Sequence, residues 1–122
     1  MVARDYLTAS RGLLAQGRVE LVRGDVRQAS EKGWGAAAQI VKAIAEQRGW
    51  DHRGHGHLHA AVRRLRDETG DQEIRRIFQV ANSLHVNFYE NWEDTQNVAE
   101  GLDDIERFIA KLEPIALAGW PS

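Results

Sequence analysis

Four of the five histidines of this chain lie within nine residues, in the segment DHRGHGHLH at 51–59. Imidazole rings bind zinc or nickel, and they also transfer protons in RNA cleavage. The segment is therefore a candidate metal site and a candidate site of RNA cleavage. His55 and His59 are four residues apart, one helical turn if the third helix begins early enough, and His57 would then point elsewhere. Two glycines interrupt the segment, and a polar connector between helices is therefore the third interpretation.

A second polar group consists of Asn82, His85 and Tyr89, at spacings of three and four residues. This spacing places all three on one side of a helix. Such a stripe can bind a nucleotide base by stacking on Tyr89 and hydrogen bonding to Asn82 and His85, or it can form a polar seam inside a bundle. Trp92 follows, and it could anchor a dimer, because tryptophan is enriched at the centres of interfaces.

The charges of the chain are unevenly distributed, although the net charge is only −2. Residues 1–66 contain twelve Arg or Lys and six Asp or Glu, whereas residues 67–122 contain four and twelve. We therefore expect basic and acidic helices to face each other, in a bundle or across a dimer. Arg63, Arg64 and Arg66 form a basic cluster near the histidines, and phosphate binding is physically plausible there.

Apolar residues recur at helical spacing along the chain, and strand-type alternation is absent. This pattern predicts an all-α fold, an up-and-down bundle of four long helices plus one short helix, in a single domain over residues 1–122. The predicted helices span about 2–22, 26–48, 57–69, 72–91 and 94–112. Asp25 is a predicted N-cap, Gly24, Gly49 and the TGD at 69–71 are predicted stops, and the tail from about Pro114 is predicted to be irregular.

Two glycines lie in the centre of the second helix, where each costs about 1 kcal/mol relative to alanine. Gly33 and Gly35 therefore predict a neighbouring helix packed very close against this face. We expect a dimer interface to involve the glycine-lined second helix, or the fourth helix with Trp92.

Several classes of site are excluded by composition and motif. The chain has no cysteine, which excludes disulfides and thiolate metal sites. The glycine spacings fit neither a P-loop nor a dinucleotide fingerprint, and no nucleophile elbow occurs. No apolar run is long enough to cross a bilayer, and no secretory signal is recognisable, so we expect a cytoplasmic protein without a membrane partner or cofactor.

Two phrases, EKGWGAAAQIVKAIA at 31–45 and ANSLHVNFYENW at 81–92, resemble the PaREP-type branch of the HEPN domains, and the likeness spans most of the chain from about Ala29. The resemblance implies a helical bundle that is commonly homodimeric and is associated with nucleotide binding, nucleotidyltransferase partner proteins or RNA cleavage. Ribonuclease members carry an arginine and a histidine with four to six residues between them, usually on a late helix and completed by the dimer mate.

That spacing occurs twice here, in Arg48 with His55 and in Arg53 with His59. Both pairs precede the fourth helix, and on the fourth helix Arg76 and His85 are too far apart to match. The position of the two pairs departs from the family pattern and weakens the ribonuclease interpretation.

The leading hypothesis is a small HEPN-like protein that acts as a dimeric binding module for a nucleotide, RNA or a partner protein, without catalysis of its own. One alternative is a metal-independent RNA endonuclease, in which His55 or His59 is the general base on a ribose 2′-hydroxyl and Arg48 or Arg53 stabilises the phosphorane charge. The other is a metal-binding protein that uses the histidine-rich loop. For the histidine-rich segment as a whole, the open question is whether a dimer mate brings His85 and Tyr89 near it.

Overall fold

The computed structural model describes residues 3–118, which form five α-helices and no strand. The helices are α1 (Ala3–Val22), α2 (Val26–Arg48), α3 (His55–Thr69), α4 (Gln72–Glu90) and α5 (Thr95–Ala118). The all-α prediction is confirmed, with four long helices and one short one in an antiparallel bundle. Over the same residues, none of the helices combines enough length and apolarity to span a membrane.

Capping residues mark the ends of α2 and α3 and the start of α4. The Asp25 side chain accepts a hydrogen bond from the Gln28 backbone N–H at 3.0 Å, and Asp71 accepts one from the Glu73 N–H at 3.0 Å. Gly49 and Gly70 close α2 and α3 in the left-handed conformation, with φ of 70° and 71°, which glycine adopts without a steric penalty. The predicted stops and caps at these turns are confirmed.

The third helix begins earlier than its apolar pattern predicted. It starts at His55 rather than at about His57, and its first turn is closed by the Leu58 N–H, which donates to the Gly54 carbonyl at 3.1 Å. Gly54 is extended and occupies the N-cap position. His55 and His59 are therefore helical and share one face, and the glycine-bearing connector predicted for them is wrong from residue 55 onward.

The fifth helix continues past Pro114 to Ala118, so the prediction of an irregular tail from about residue 114 is wrong for 114–118. Proline removes one backbone hydrogen bond and usually ends or kinks a helix. Here tertiary contacts hold the turn that follows, because Ala116 is fully buried and its carbonyl accepts a hydrogen bond from Gln47 Nε2 at 2.6 Å. Periodicity within one helix could not indicate this contact between α2 and α5.

The second helix is central and packs against each of the other four. A Cβ added at Gly33 would lie 2.8 Å from Leu102 Cδ2 and 2.9 Å from Leu84 Cδ1, and one at Gly35 would lie 3.2 Å from Leu13 Cδ1. The predicted close packing is therefore confirmed. Since residues of α1, α4 and α5 in the same chain cover this face, it is not available to a dimer mate, and the expectation of an interface there is corrected.

A buried polar centre joins α4 to α2 and to the start of α5. Asn87 Nδ2 donates to Ser30 Oγ at 2.7 Å, while Asn87 Oδ1 accepts from the backbone N–H groups of Trp92 and Glu93 at 2.9 and 2.8 Å. The Ser30 hydroxyl in turn donates a hydrogen bond to the Val26 carbonyl at 2.9 Å. Asn87 and Ser30 are fully buried, so their hydrogen bonds fix the relative position of α2, α4 and the turn at 91–94.

The predicted attraction between the basic and acidic parts of the chain occurs inside the bundle. Arg11 of α1 pairs with Glu113 at 2.7 Å, and Arg18 pairs with Asp103 at 3.1 Å and with Glu106 at 3.3 Å. These pairs are solvent-exposed and each contributes little to stability. Their main effect is to place the acidic side of α5 against α1, away from α3.

Gly33→Ala and Gly12→Ala form a matched pair that tests the close packing on α2. Both replace a glycine inside a long helix, and each gains about 1 kcal/mol of helix propensity. A Cβ at Gly12 meets no atom within 4 Å, so we expect Gly12→Ala to raise the free energy of unfolding in urea by about that amount. Gly33→Ala should fall short of this gain by about 1–3 kcal/mol, because two core leucines must shift. Equal gains in the two variants would contradict the packing.

Candidate functional site

Three aromatic rings from three helices meet on the outer side of α2. The ring centroids of Trp34, His55 and His85 lie 5.0 Å from one another, and the Trp34 and His55 planes are stacked with an angle of 25°. Trp34 is only 7% exposed and forms the floor of the group, whereas His55 lies at the solvent side. The histidine-rich segment and the polar stripe of α4 thus meet within one chain, at His55 and His85.

His59 extends this site by one turn of α3. Its ring meets the edge of Phe78 at a centroid distance of 4.9 Å, and Phe78 in turn lies 5.5 Å from Trp34. Burial lowers the pKa of His59, and the positive charges of Arg63 and of His55 when protonated lower it further, while a hydrogen bond that the ring donates to the Asn82 side chain partly raises it. These effects together favour the neutral form of the His59 imidazole. We call Trp34, His55, His59, Phe78 and His85 the ring cluster.

His85 is held in a defined orientation by α2. Its Nδ1 lies 3.1 Å from both carboxylate oxygens of Glu31. A carboxylate accepts the Nδ1–H proton, which leaves Nε2 with a free lone pair in the neutral ring. Tyr89 lies one turn further along α4, edge-on to His85 at 5.4 Å, and it is 67% exposed. The prediction that Asn82, His85 and Tyr89 face the same way is confirmed.

The two arginine–histidine pairs considered for RNA cleavage are not brought together. Arg48 binds Glu68 through Nη1 at 2.6 Å and lies over the Trp50 ring, and Arg53 binds Asp51 at 2.8 Å. The Arg53 guanidinium holds the pKa of the Asp51 carboxyl well below its usual range. Both arginines are paired with carboxylates, and His55 and His59 turn toward α4. Arg53 lines a hollow together with His55, and cleavage by Arg48 or Arg53 with these histidines stays a prediction.

The predicted basic cluster on α3 is divided among three directions. Arg63 lies beside His59, Arg64 stacks over the Trp50 ring at 4.8 Å, and Arg66 Nε binds the neighbouring Asp67 at 2.9 Å. A helix turns about 100° at each residue, so adjacent arginines cannot share one face. Only Arg63 of the three belongs to the ring cluster side.

His57 points away from the ring cluster, as its spacing predicts, and lies 3.5 Å from Asp51. Within residues 3–118, no group of three or more His, Asp and Glu side chains is arranged to hold a metal ion. In this part of the chain the metal-binding alternative has no preformed site.

Sequence reasoning missed several residues of the site, all contributed by helices other than α3. Glu31 and Trp34 lie on α2, where their spacing of three residues indicates a common face. Phe78 is one of the buried apolar residues of α4, and Arg75 lies about one turn before it. Arg75 and Phe78 line a hollow of about 160 Å³ together with His59, Val62, Arg63 and Gln79. Their roles depend on how α2, α3 and α4 pack.

The lowered pKa of His59 predicts a loss of stability at acidic pH. Since the folded-state pKa lies below the ordinary value of 6.5, the unfolded chain binds more protons between the two values. The stability is thus complete above pH 6.5 and falls as the pH drops toward the folded-state pKa. His59 faces Arg63 and His55 from its own helix and Arg75 and Asn82 from α4. Urea unfolding at a series of pH values should show this decrease, and His59→Gln should reduce it.

Asn82→Ala and Ser83→Ala provide a paired control, read out by the pH titration of the His59 ring protons in NMR. Asn82→Ala removes the hydrogen bond that raises the His59 pKa, so the pKa should fall further. Ser83 donates only to the Gln79 carbonyl of its own helix, and Ser83→Ala should leave the titration unchanged. A His59 pKa at or above 6.5 in the unaltered protein would contradict the placement of this ring.

Comparisons with known proteins bear on this fold and family. A crystal structure of a protein from Sulfolobus solfataricus is similar to this chain, with 22% sequence identity, a TM-score of 0.74, and coverage of 91% of this chain and 95% of that one. This likeness shows the fold alone. No curated protein matches the chain. The family model described as the archaeal PaREP1/PaREP8 family matches residues 5–109. This match confirms the PaREP part of the resemblance, while membership of the HEPN superfamily stays a prediction. The chain belongs to the archaeal PaREP1/PaREP8 family.

Proposed function

We propose that this protein is a dimeric binding module for single-stranded RNA, and that the ring cluster with Tyr89 is its binding surface. One observation carries the proposal: His55 and His85 meet over Trp34, with centroids 5.0 Å apart, and Tyr89 stands exposed beside them. Flat rings at the surface give a base a stacking partner, and imidazole nitrogens give hydrogen-bond partners to base edges.

Tyr89 is suited to stack on a base because its position is constrained while its ring is exposed. The ring is 67% exposed and contacts the edges of His85 and Phe88 at 5.4 and 5.1 Å. The Phe88 carbonyl accepts a hydrogen bond from Arg27 Nε at 2.8 Å, which ties this last turn of α4 to α2. Base–aromatic stacking contributes about 1–3 kcal/mol per base and tolerates any base.

Basic side chains lie on two sides of the ring cluster, as a phosphate backbone requires. Lys42 and Arg53 line a hollow of about 220 Å³ beside His55, and Arg63 and Arg75 line the hollow beside His59. Within residues 3–118, α3 packs against α2 and α4, whereas Asp103, Glu106 and Glu113 of α5 are paired with arginines of α1. A strand that crosses the ring cluster therefore avoids these three carboxylates.

Self-association is the second part of the proposal, with Trp92 at its centre. Trp92 is 68% exposed, and its backbone N–H is held by the buried Asn87 side chain, so the indole projects from a fixed turn. A large aromatic side chain on a rigid turn can anchor an interface at low entropic cost. A nucleotidyltransferase-type partner protein and a cytoplasmic location remain predictions.

Tyr89→Ala and Trp92→Ala should separate RNA binding from self-association. In fluorescence anisotropy with a labelled single-stranded oligoribonucleotide, Tyr89→Ala should weaken binding about 5- to 150-fold, the equivalent of one stacked base. Trp92→Ala should leave the affinity of each protomer nearly unchanged. In sedimentation at micromolar concentration, Trp92→Ala should shift the protein toward monomer, while Tyr89→Ala should not.

The RNA-binding surface and self-association can each be overturned without affecting the other. Equal RNA affinity in the Tyr89→Ala variant and the unaltered protein would overturn the binding surface. A monomer at all concentrations in the unaltered protein would overturn self-association and leave the binding surface standing.

Metal-independent RNA cleavage is the second candidate function, and the Glu31–His85 pair favours it over the arginine–histidine pairs of the sequence. Glu31 orients His85 so that Nε2 can take the proton of a ribose 2′-hydroxyl. The 2′-oxygen then attacks phosphorus, the bond from phosphorus to the 5′-oxygen breaks, and His55 in its imidazolium form gives the leaving oxygen a proton. The products are a 2′,3′-cyclic phosphate and a 5′-hydroxyl.

Cleavage assays in the presence of a chelator test this candidate. His85→Ala should lower the cleavage rate about 10²- to 10⁴-fold, the usual contribution of a general base, and Glu31→Gln should lower it less. His57→Ala is the matched control, because His57 lies on the other side of α3 near Asp51, and it should cleave at the unaltered rate. Cleavage that survives His85→Ala, or the absence of any cleavage, would remove this candidate.

A further inference from the structure

Two arginines and a neutral histidine meet at a small hollow between α3 and α4. The hollow has a volume of about 160 Å³ and is lined by His59, Val62 and Arg63 of α3 and by Arg75, Phe78 and Gln79 of α4. Arg63 lies one helical turn after His59, and Arg75 lies one turn before Gln79. The two helices thus bring a guanidinium each to one place.

Neither arginine is neutralised by a carboxylate. Across residues 3–118, no ion pair involves Arg63 or Arg75, and Asp67, one helical turn after Arg63, is paired with Arg66. Two guanidinium groups that share a hollow without an anion repel each other, and Arg63 also opposes protonation of His59. An anion bound between them would relieve this repulsion.

We propose that this hollow, which we call the α3–α4 pocket, binds the phosphate group of a phosphate monoester. Two guanidinium groups match the two negative charges of a monoester, and their fork-like N–H donors match its oxygens. The volume is below the roughly 300 Å³ at which pockets begin to hold a whole small-molecule ligand. The pocket therefore takes one phosphate group, while the remainder of the ligand lies outside it, toward the ring cluster.

The neutral ring of His59 supplies a third polar contact. Asn82 hydrogen bonds to the ring, and the Phe78 edge packs against it at 4.9 Å, so the orientation of the imidazole is restricted. When a dianion binds, it neutralises the positive charge of the two guanidinium groups, and the pKa of His59 rises. The inference rests on the proposed function only for the part of the ligand that stacks on the ring cluster, because the phosphate contact itself can be measured separately.

Inorganic phosphate is the first probe, with the histidine ring resonances of the full chain read by NMR at constant ionic strength against potassium chloride. We expect a saturable shift of the His59 resonances and a rise of its pKa, with no comparable change at His57. Arg75→Gln should abolish the shift. Arg76→Gln, the adjacent exposed arginine that does not line the pocket, should retain it. No saturable shift in the unaltered protein, or equal loss in both variants, would overturn the pocket. Circular dichroism confirms that both variants are folded.

The source of the monoester is distinguished by two pairs of ligands. AMP is compared with adenosine, and a 5′-phosphorylated oligoribonucleotide with the same oligonucleotide bearing a 5′-hydroxyl. The phosphorylated member should bind about tenfold tighter, the equivalent of one charge-assisted contact, and this gain should disappear in Arg75→Gln. A gain for AMP alone identifies a mononucleotide, and a gain for the oligonucleotide alone identifies an RNA end. No gain in either pair would overturn the proposal.

Failure of this inference differs from failure of the proposed function. If oligonucleotides bind through Tyr89 but phosphate leaves His59 unchanged, the α3–α4 pocket is wrong and the RNA-binding surface stands. If phosphate shifts His59 but no oligonucleotide binds, the pocket stands and the RNA-binding surface is wrong.

Discussion

The close approach of α4 and α5 to α2 at Gly33 is the constraint on which the site depends. With no side chain at this position, Leu84 and Leu102 pack almost onto the α2 backbone. One residue after Leu84, His85 then comes within 3.1 Å of Glu31, and Asn87 reaches the buried Ser30 hydroxyl. A side chain at residue 33 would move α4 outward, and both the orientation of His85 and the floor that Trp34 provides for the imidazole rings would change.

The charge distribution has a related effect on where a ligand can bind. Carboxylates of α5 are paired with Arg11 and Arg18 of α1, and those near α3 are paired with Arg48, Arg53 and Arg66. Arg63 and Arg75 are left beside a neutral imidazole. Each exposed pair contributes little energy, but together the pairs leave Arg63 and Arg75 without a counter-charge, on the same side as His59.

The polar groups inside the bundle separate into structural and surface-facing ones. Asn87 and Ser30 satisfy each other and the turn before α5, and no buried side-chain polar atom in the described residues lacks a partner. Asn82, His85 and Tyr89 share α4 with Asn87 but lie progressively nearer to solvent. The same helix therefore holds the bundle together through one face and presents hydrogen-bonding and stacking groups on the adjacent one, which is why the stripe is both a seam and a candidate binding surface.

The sequence by itself determined the helices, because helical periodicity and local caps such as Asp25 and Gly49 act within a few residues. It also predicted that Gly33 requires a close neighbour, whereas the common face of His55 and His59 depended on where α3 begins, which is His55 in the structure. Only the tertiary structure decided which side chains meet: Glu31 with His85, Trp34 with His55, and Arg63 with Arg75 come from helices whose relative position no local pattern contains. Pro114 illustrates the same limit. Its local effect predicts that the helix ends there, but a hydrogen bond from Gln47 to the Ala116 carbonyl stabilises the turn that follows, and the helix extends to Ala118.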